Sequence, residues 1–191
     1  MLRGAMSDTR VLLPLFVDVE EKRVLVVGGG AVGARKAQEL AAAGARIHVV
    51  AEAIGPDVEG PRVTTERRRF EETDVEGAWL VVAATNDAAT QREIARAADR
   101  ARVFCVAVDD PDNASAYGGA VVRRGPVTVA ISTSGEAPAL ARLLRELIEQ
   151  MLPEADYVEA ARALRETWKS EGTPMSSRFA ELVRAFKERA R

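Results

Sequence analysis

Apolar and polar positions follow two different rhythms along this chain. From residue 23 to about residue 108, apolar runs of strand length alternate with segments of helical spacing. The first run, Val24, Leu25, Val26 and Val27, stops at three glycines and leads into an alanine-rich helical stretch, 34–43, that ends at Gly44. Residues 46–50 and 62–66 read as second and third strands, punctuated by Gly55-Pro56 and Gly60-Pro61. Residues 79–84 are continuously apolar, as expected of a parallel strand covered on both faces, and Thr85-Asn86-Asp87 then caps a helix over 88–99. Residues 103–108 form the next buried strand. This alternation predicts a parallel sheet with right-handed crossovers. Upstream, 12–19 reads as a short extended segment entering the domain, closed by the charged turn 20–22.

Past Asp109 the rhythm changes. Segments 120–123 and 127–131, joined by Arg124-Gly125-Pro126, read as a hairpin. After a polar loop at 132–135, Pro138 falls in the first turn of a helix over 139–151, whose apolar stripe is Leu140, Leu143, Leu144, Leu147 and Ile148. Pro153 starts another helix, carried by Tyr157, Ala161, Leu164 and Trp168 and broken at Gly172-Thr173-Pro174. Phe179, Leu182, Val183 and Phe186 mark a last amphipathic segment. The fold class is therefore α/β: a Rossmann-type parallel sheet over 11–112, a dimerisation hairpin and helix over 113–151, and a C-terminal helical region over 152–191. The apolar stripes of the tail need a surface to bury against. A two-fold homodimer supplies one, and packing on the chain's own sheet is the alternative.

Composition narrows the chemistry. A net charge of −2 gives no global attraction to nucleic acid or to an anionic membrane, and no stretch approaches the roughly 20 apolar residues of a membrane span. With one cysteine and one histidine, an internal disulfide, a thiolate metal cluster and an HExxH zinc site are excluded, and a reducing, cytoplasmic location fits. Cys105 reads as a buried strand thiol and His48 as a strand-two histidine. Residues 1–10 lack a signal-peptide core and read as a disordered leader, with Met6 a candidate natural start.

The candidate chemistry centres on Gly28, Gly30 and Gly33, a GxGxxG spacing with strand before and helix after. The first glycine permits the tight turn, the second lets backbone approach a pyrophosphate, and the third lets helix pack on strand. Ala31 and Val32 then open a helix whose N-terminal N–H groups and dipole face the phosphates. At the end of strand two, spacing puts Ala51 where an acidic ribose ligand usually stands, so Glu52 and Ala53 are the candidates, and an acid there disfavours a 2′-phosphate. NAD is the expected cofactor. Thr85, Asn86 and Asp87 end a strand at the sheet edge where such folds bind ligands, and the same residues serve as a helix cap.

The string Gly-Gly-Gly-Ala-Val-Gly-Ala-Arg-Lys from Gly28 resembles the opening of the siroheme synthase N-terminal module, the precorrin-2 dehydrogenase and sirohydrochlorin ferrochelatase family. The likeness extends through Leu13 to Phe16, Ala83-Ala84-Thr85-Asn86-Asp87, Phe104-Cys105, Val108-Asp109-Asp110-Pro111, Ile131-Ser132-Thr133 and the run from Pro138 to Glu146. It implies NAD-linked oxidation of precorrin-2 to sirohydrochlorin on an intertwined homodimer, with ferrous iron a second substrate in some members and no metal ligand set of its own. Three positions depart from the family pattern: Val106, the stretch 116–119, and Ala137.

A substrate bearing many carboxylates needs basic groups, and Arg123, Arg124, Arg142 and Arg145, with the neutral Ser132 and Thr133, are the candidates. Asp109 matches the family's acidic residue and is the candidate general base, ahead of Asp110 and Asp112 in the same turn cluster. Two other functions stay open on sequence alone: a non-catalytic NAD-responsive dimeric sensor, and a dehydrogenase of another small metabolite.

Overall fold

Five parallel strands form the central sheet: β1 (Arg23–Gly29), β2 (Arg46–Ile54), β3 (Val63–Glu66), β4 (Leu80–Ala83) and β5 (Phe104–Ala107), in the order β3-β2-β1-β4-β5. The structure is a computed structural model that describes residues 11–152 and 155–189. The proposed leader, the start at Pro153 and the side chain of Tyr157 lie outside the described residues. The chain divides into two compact units, with the boundary between Gly118 and Gly119.

In the first unit, α1 (Ala31–Ala42) and α2 (Ala88–Ala101) supply crossovers, and short 3₁₀ turns occupy Glu72–Val75 and Pro111–Asn113. The parallel register and the two apolar clusters confirm strands covered on both faces. Val24, Val26, Val49 and Val82 pack with Ala34 and Ala37 on one side, while Leu25, Val50 and Val81 pack with Ile94, Ala97 and Ala98 on the other. Helix α2 begins where expected because the Asp87 carboxylate accepts from the backbone N–H groups of Ala89 (3.0 Å) and Thr90 (3.4 Å).

Two apolar residues depart from the buried-run expectation. Trp79 precedes β4 and is 55% exposed, with the Lys22 ammonium 4.5 Å from its ring centroid, and Phe104, 53% exposed, begins the edge strand β5. Residues 11–19 join no strand, and of their apolar side chains Val19 is the buried one. After the turn at 109–113, the chain returns along the free edge of β5: Ser115 and Ala116 donate to the Cys105 carbonyl, and the Cys105 N–H donates to the Ser115 hydroxyl.

The second unit consists of the antiparallel hairpin β6 (Ala120–Arg124) and β7 (Val127–Ile131), then α3 (Pro138–Met151), α4 (Ala155–Glu171) and α5 (Met175–Arg189). Gly125, with φ of +54°, makes the hairpin turn. Arg124 donates to the carbonyls of Leu152 (2.5 Å) and Glu149 (3.0 Å), tying β6 to the C-terminal end of α3, where exposed carbonyls attract a cation. Helices α4 and α5 are joined through Trp168, whose indole N–H donates to Glu181 at 2.5 Å.

Candidate functional site

Strand register brings the ends of the sheet level. Val27 of β1 lies opposite Val50 of β2 and Ala83 of β4, and Ala83 lies opposite Ala107 of β5. Residues that follow these positions, Gly28, Ala51, Ala84 and Val108, therefore share one carboxyl edge. Along it runs a groove of about 480 Å³, lined by Gly28 to Gly30, by Ala51 to Ala53, by Arg68 to Phe70, and by Thr85 to Asp87 with Thr90 and Glu93.

Gly28, Gly29 and Gly33 each show a distinct steric reason, and Gly30 shows none. Gly28 has φ of +125°, and a Cβ there would lie 2.3 Å from the Ala84 carbonyl oxygen. A Cβ on Gly33 would lie 2.0 Å from the Gly28 carbonyl oxygen, so this glycine lets α1 sit on the strand end. At Gly30 a Cβ would meet nothing within 4 Å, so the open space there faces the groove and not a packed neighbour. Gly29, for which the spacing rule assigns no role, would collide with the Ala53 carbonyl at 2.3 Å, and this close approach lets β2 run on to Ile54 beside the loop. No side chain caps the N-terminus of α1. Its N–H groups are the ones a phosphate would take up.

Gly28, Gly30, Glu52, Ala53, Thr85, Asn86 and Asp87 all line the groove, as the sequence suggests. Gly33 acts through packing, and Ala31 and Val32 stand exposed in the first turn of α1, beside the lining residues. The Asp87 carboxyl is held below the usual carboxylate range, first by the Thr90 hydroxyl and then by the Ala89 N–H, so it stays an anion while capping α2. Glu52 accepts from Arg69 at 2.9 Å.

Sequence reasoning missed the loop after β3. Arg68 grips the carboxylate of Asp74 with two bonds of 2.8 and 2.6 Å and also donates to Glu66 at 2.7 Å. Asp74 is buried, and although burial opposes its charge, the Arg68 guanidinium and the Glu71 N–H hold its carboxyl below the ordinary value. That pairing shapes the loop that carries Arg69 and Phe70 to the groove. Also missed was Gln91, buried on α2, whose amide donates to the carbonyls of Thr85 (2.8 Å) and Val108 (3.3 Å) and so braces two strand ends with one side chain. A glutamine three residues into a helix that starts at a strand end carries no motif to find it by.

Asp109 follows Val108 at this edge, exposed, with a left-handed φ of +57°. Such a conformation in a non-glycine residue is uncommon and marks turns and functional sites. Its neighbour Asp110 is engaged by the Asn113 amide at 2.7 Å. Cys105 is buried, and burial first, with Asp110 second, pushes its thiol up to about 11, which suits an inert core residue and not a nucleophile.

In the second unit, Arg142 and Arg145 pair with Glu146 (2.9 Å) and Glu149 (3.0 Å) one helical turn on, and Arg123 is exposed on β6. Ser132 and Thr133 organise their own loop, accepting from the N–H groups of Ser134 (3.1 Å) and Ala137 (3.3 Å). A second depression, of about 580 Å³, lies at the opposite, amino edge of the sheet. Its arginines serve as braces, Arg23 donating to the carbonyls of Asp74 and Glu76 and Arg62 to Glu21 and the Gly44 carbonyl, so it is a joint of the fold. Among the described residues no helix is long and apolar enough to cross a membrane, and no group of three or more His, Cys, Asp or Glu is placed to hold a metal ion.

The fold and this groove define a dinucleotide-binding α/β domain of the Rossmann type. A family model described as "Putative NAD(P)-binding" matches residues 15–120, and one described as "Sirohaem biosynthesis protein central" matches 124–151. The siroheme synthase of Citrobacter koseri is 42% identical over 147 residues, covering 74% of this chain and 32% of that protein. Siroheme synthase 1 of Aeromonas hydrophila is 40% identical over 164 residues, covering 83% of this chain and 35% of that protein. Among solved structures, one titled SirC, precorrin-2 dehydrogenase superposes with a TM-score of 0.71 at 22% identity, covering 91% of this chain and 88% of that one, a likeness of fold. The chain belongs to the siroheme synthase N-terminal module family. It spans about a third of the length of the curated relatives it matches.

Proposed function

We propose that this chain catalyses the NAD-dependent oxidation of precorrin-2 to sirohydrochlorin, working as a cytoplasmic homodimer. The observation that carries the reading is the position of Asp109, two residues past Ala107, at the edge where β1 turns into the glycine loop. When bound, NAD supplies the hydride acceptor. Dehydrogenation also releases a proton, and the carboxylate of Asp109 is the group assigned to take it. The uncapped N-terminus of α1 binds the pyrophosphate, Gly30 leaves the space for it, and Glu52 accepts the hydroxyls of the adenosine ribose.

Arg123, Arg124, Arg142 and Arg145 are the proposed partners of the substrate carboxylates, with Ser132 and Thr133 as neutral contacts. A guanidinium that already meets one carboxylate keeps further N–H donors for another, so the ion pairs of Arg142 and Arg145 are compatible with that role. The homodimer is supported by the stripe on α3, where Leu140, Leu143 and Leu147 are all about half exposed. Dehydrogenation is the main activity in this reading. Ferrous iron, as a substrate inserted into sirohydrochlorin, is the second.

Purified protein given precorrin-2 and NAD should form NADH at a rate proportional to enzyme, and absence of NADH with bound cofactor would refute the dehydrogenase assignment. Absorbance spectra with sirohydrochlorin and ferrous iron, compared with an enzyme-free control, test the iron step.

A further inference from the structure

At one end of the dinucleotide groove, two side chains of opposite charge meet: Arg69, from the loop after β3, donates its Nε–H to Glu52 of β2 at 2.9 Å, and both line the groove. The adjacent arginine is differently employed. Arg68 is locked by Asp74, Glu66 and the Arg69 carbonyl, and its partner Asp74 is buried. Arg69 is held by an exposed carboxylate, and its own side chain is 84% exposed, so its guanidinium can change partners at small cost.

Chemistry gives that pair a meaning. In this kind of fold an acidic group after the second strand accepts the ribose hydroxyls of NAD and repels a 2′-phosphate, whereas a nearby arginine grips the 2′-phosphate of NADP. This chain presents both groups at one place, already bonded to each other. We propose that the Glu52–Arg69 pair is the cofactor-selecting device of the site: Glu52 receives the ribose of NAD and at the same time occupies Arg69, which is a latent ligand for a 2′-phosphate. The inference rests on the reading of this groove as the NAD site.

The device predicts a coupling that neither residue shows by itself. Replacing Glu52 by Gln removes the negative charge and releases the guanidinium together. Binding of NAD+, NADP+, 5′-ADP and 2′,5′-ADP to the full chain, measured by calorimetry without tetrapyrrole, reads it. In Glu52→Gln, the preference for the 2′-phosphorylated member of each pair is expected to rise about tenfold or more, the scale of one charge-assisted bond. In the double variant Glu52→Gln/Arg69→Ala most of that gain should vanish, and Arg69→Ala alone should discriminate against NADP+ at least as strongly as the parent. Both side chains are exposed, and circular dichroism of each variant checks that the fold is kept.

A parent protein that binds neither NAD+ nor 5′-ADP would overturn the groove assignment and the pair with it. A parent that binds NAD+, combined with a Glu52→Gln variant that gains nothing for the 2′-phosphate, or gains it equally without Arg69, would overturn the pair alone.

Discussion

In the parallel-sheet unit, Val24, Leu25, Val49, Val50, Val81 and Ile94 are wholly out of water, whereas the unit that follows Gly118 buries, among the described residues, only the apolar side chains of Val122, Ala141 and Trp168, the last two less completely. The difference lies in architecture more than in composition. A sheet with helices on both faces closes a core within one chain, even with Trp79, Phe104 and the apolar residues of the entry segment left in water, while a two-stranded hairpin and three helices close little and leave Leu140, Leu143, Leu147, Met151, Met175 and Phe179 in solvent. The first unit thus has what a ligand site requires, a rigid edge held by its own core. The second has what an interface requires, apolar side chains in register along a helix.

The sharpest way to break this comparison is to remove the proposed base from the closed unit. Asp109→Ala should fold and bind NAD but lose roughly 100-fold or more in turnover, the scale of a positioned general base. Near-normal NADH formation by the folded variant would move the chemistry elsewhere along the 109–112 turn.

Next in size is the open unit. Leu140→Glu with Leu147→Glu should convert a dimer to a monomer in light scattering, since each leucine withdrawn from an interface forfeits on the order of 1.5–3 kcal/mol. NAD affinity of the monomer should stay close to that of the parent if the groove is complete within the first unit. A parent that is itself monomeric at micromolar concentration would refute the proposed use of the exposed stripe.

A third contrast lies inside the glycine loop. Gly30→Val should keep the fold and weaken NAD by about tenfold or more, because the added side chain would fill the space assigned to the pyrophosphate in the proposed site. Gly33→Val should instead compromise folding, as its Cβ has a carbonyl oxygen 2.0 Å away. Equal thermal stability of the two variants would show the packing argument to be wrong.

Smaller effects report on the closed unit's surface and core. Asp87 has a lowered folded value, so the stability it adds is present above the ordinary aspartate value near 3.9 and disappears as pH falls through the lower folded value. Asp87→Ala should accordingly lower the urea midpoint at pH 7, and the gap to the parent should narrow progressively below pH 4; a gap independent of pH would mean that the carboxylate charge contributes nothing. For Cys105, with its thiol pushed up to about 11, alkylation by iodoacetamide at pH 8 should be slow in the folded protein and fast in urea. Rapid modification without denaturant would show the β5 edge to be open.

Much of this was legible in the chain itself, and for one reason: it is governed by short-range rules. The strand before Gly28 and the helix after Gly33 follow from periodicity, the start of α2 from the Asp87 side chain meeting N–H groups two and three residues on, the turn at Gly125 from its neighbours, and the first turn of α3 from Pro138. What the tertiary structure alone decided is which distant residues share a place. Strand order β3-β2-β1 and the clamp of Arg68 on Asp74 bring Arg69 against Glu52, 17 positions away, and β4 beside β5 lets Gln91 reach two carbonyls at once. Likewise, nothing local distinguishes Trp79 and Phe104, which stay in solvent, from Val81 and Cys105, which do not. Register across a sheet and the position of a strand at its edge depend on pairings far apart in the chain, so periodicity along one strand carries no record of them.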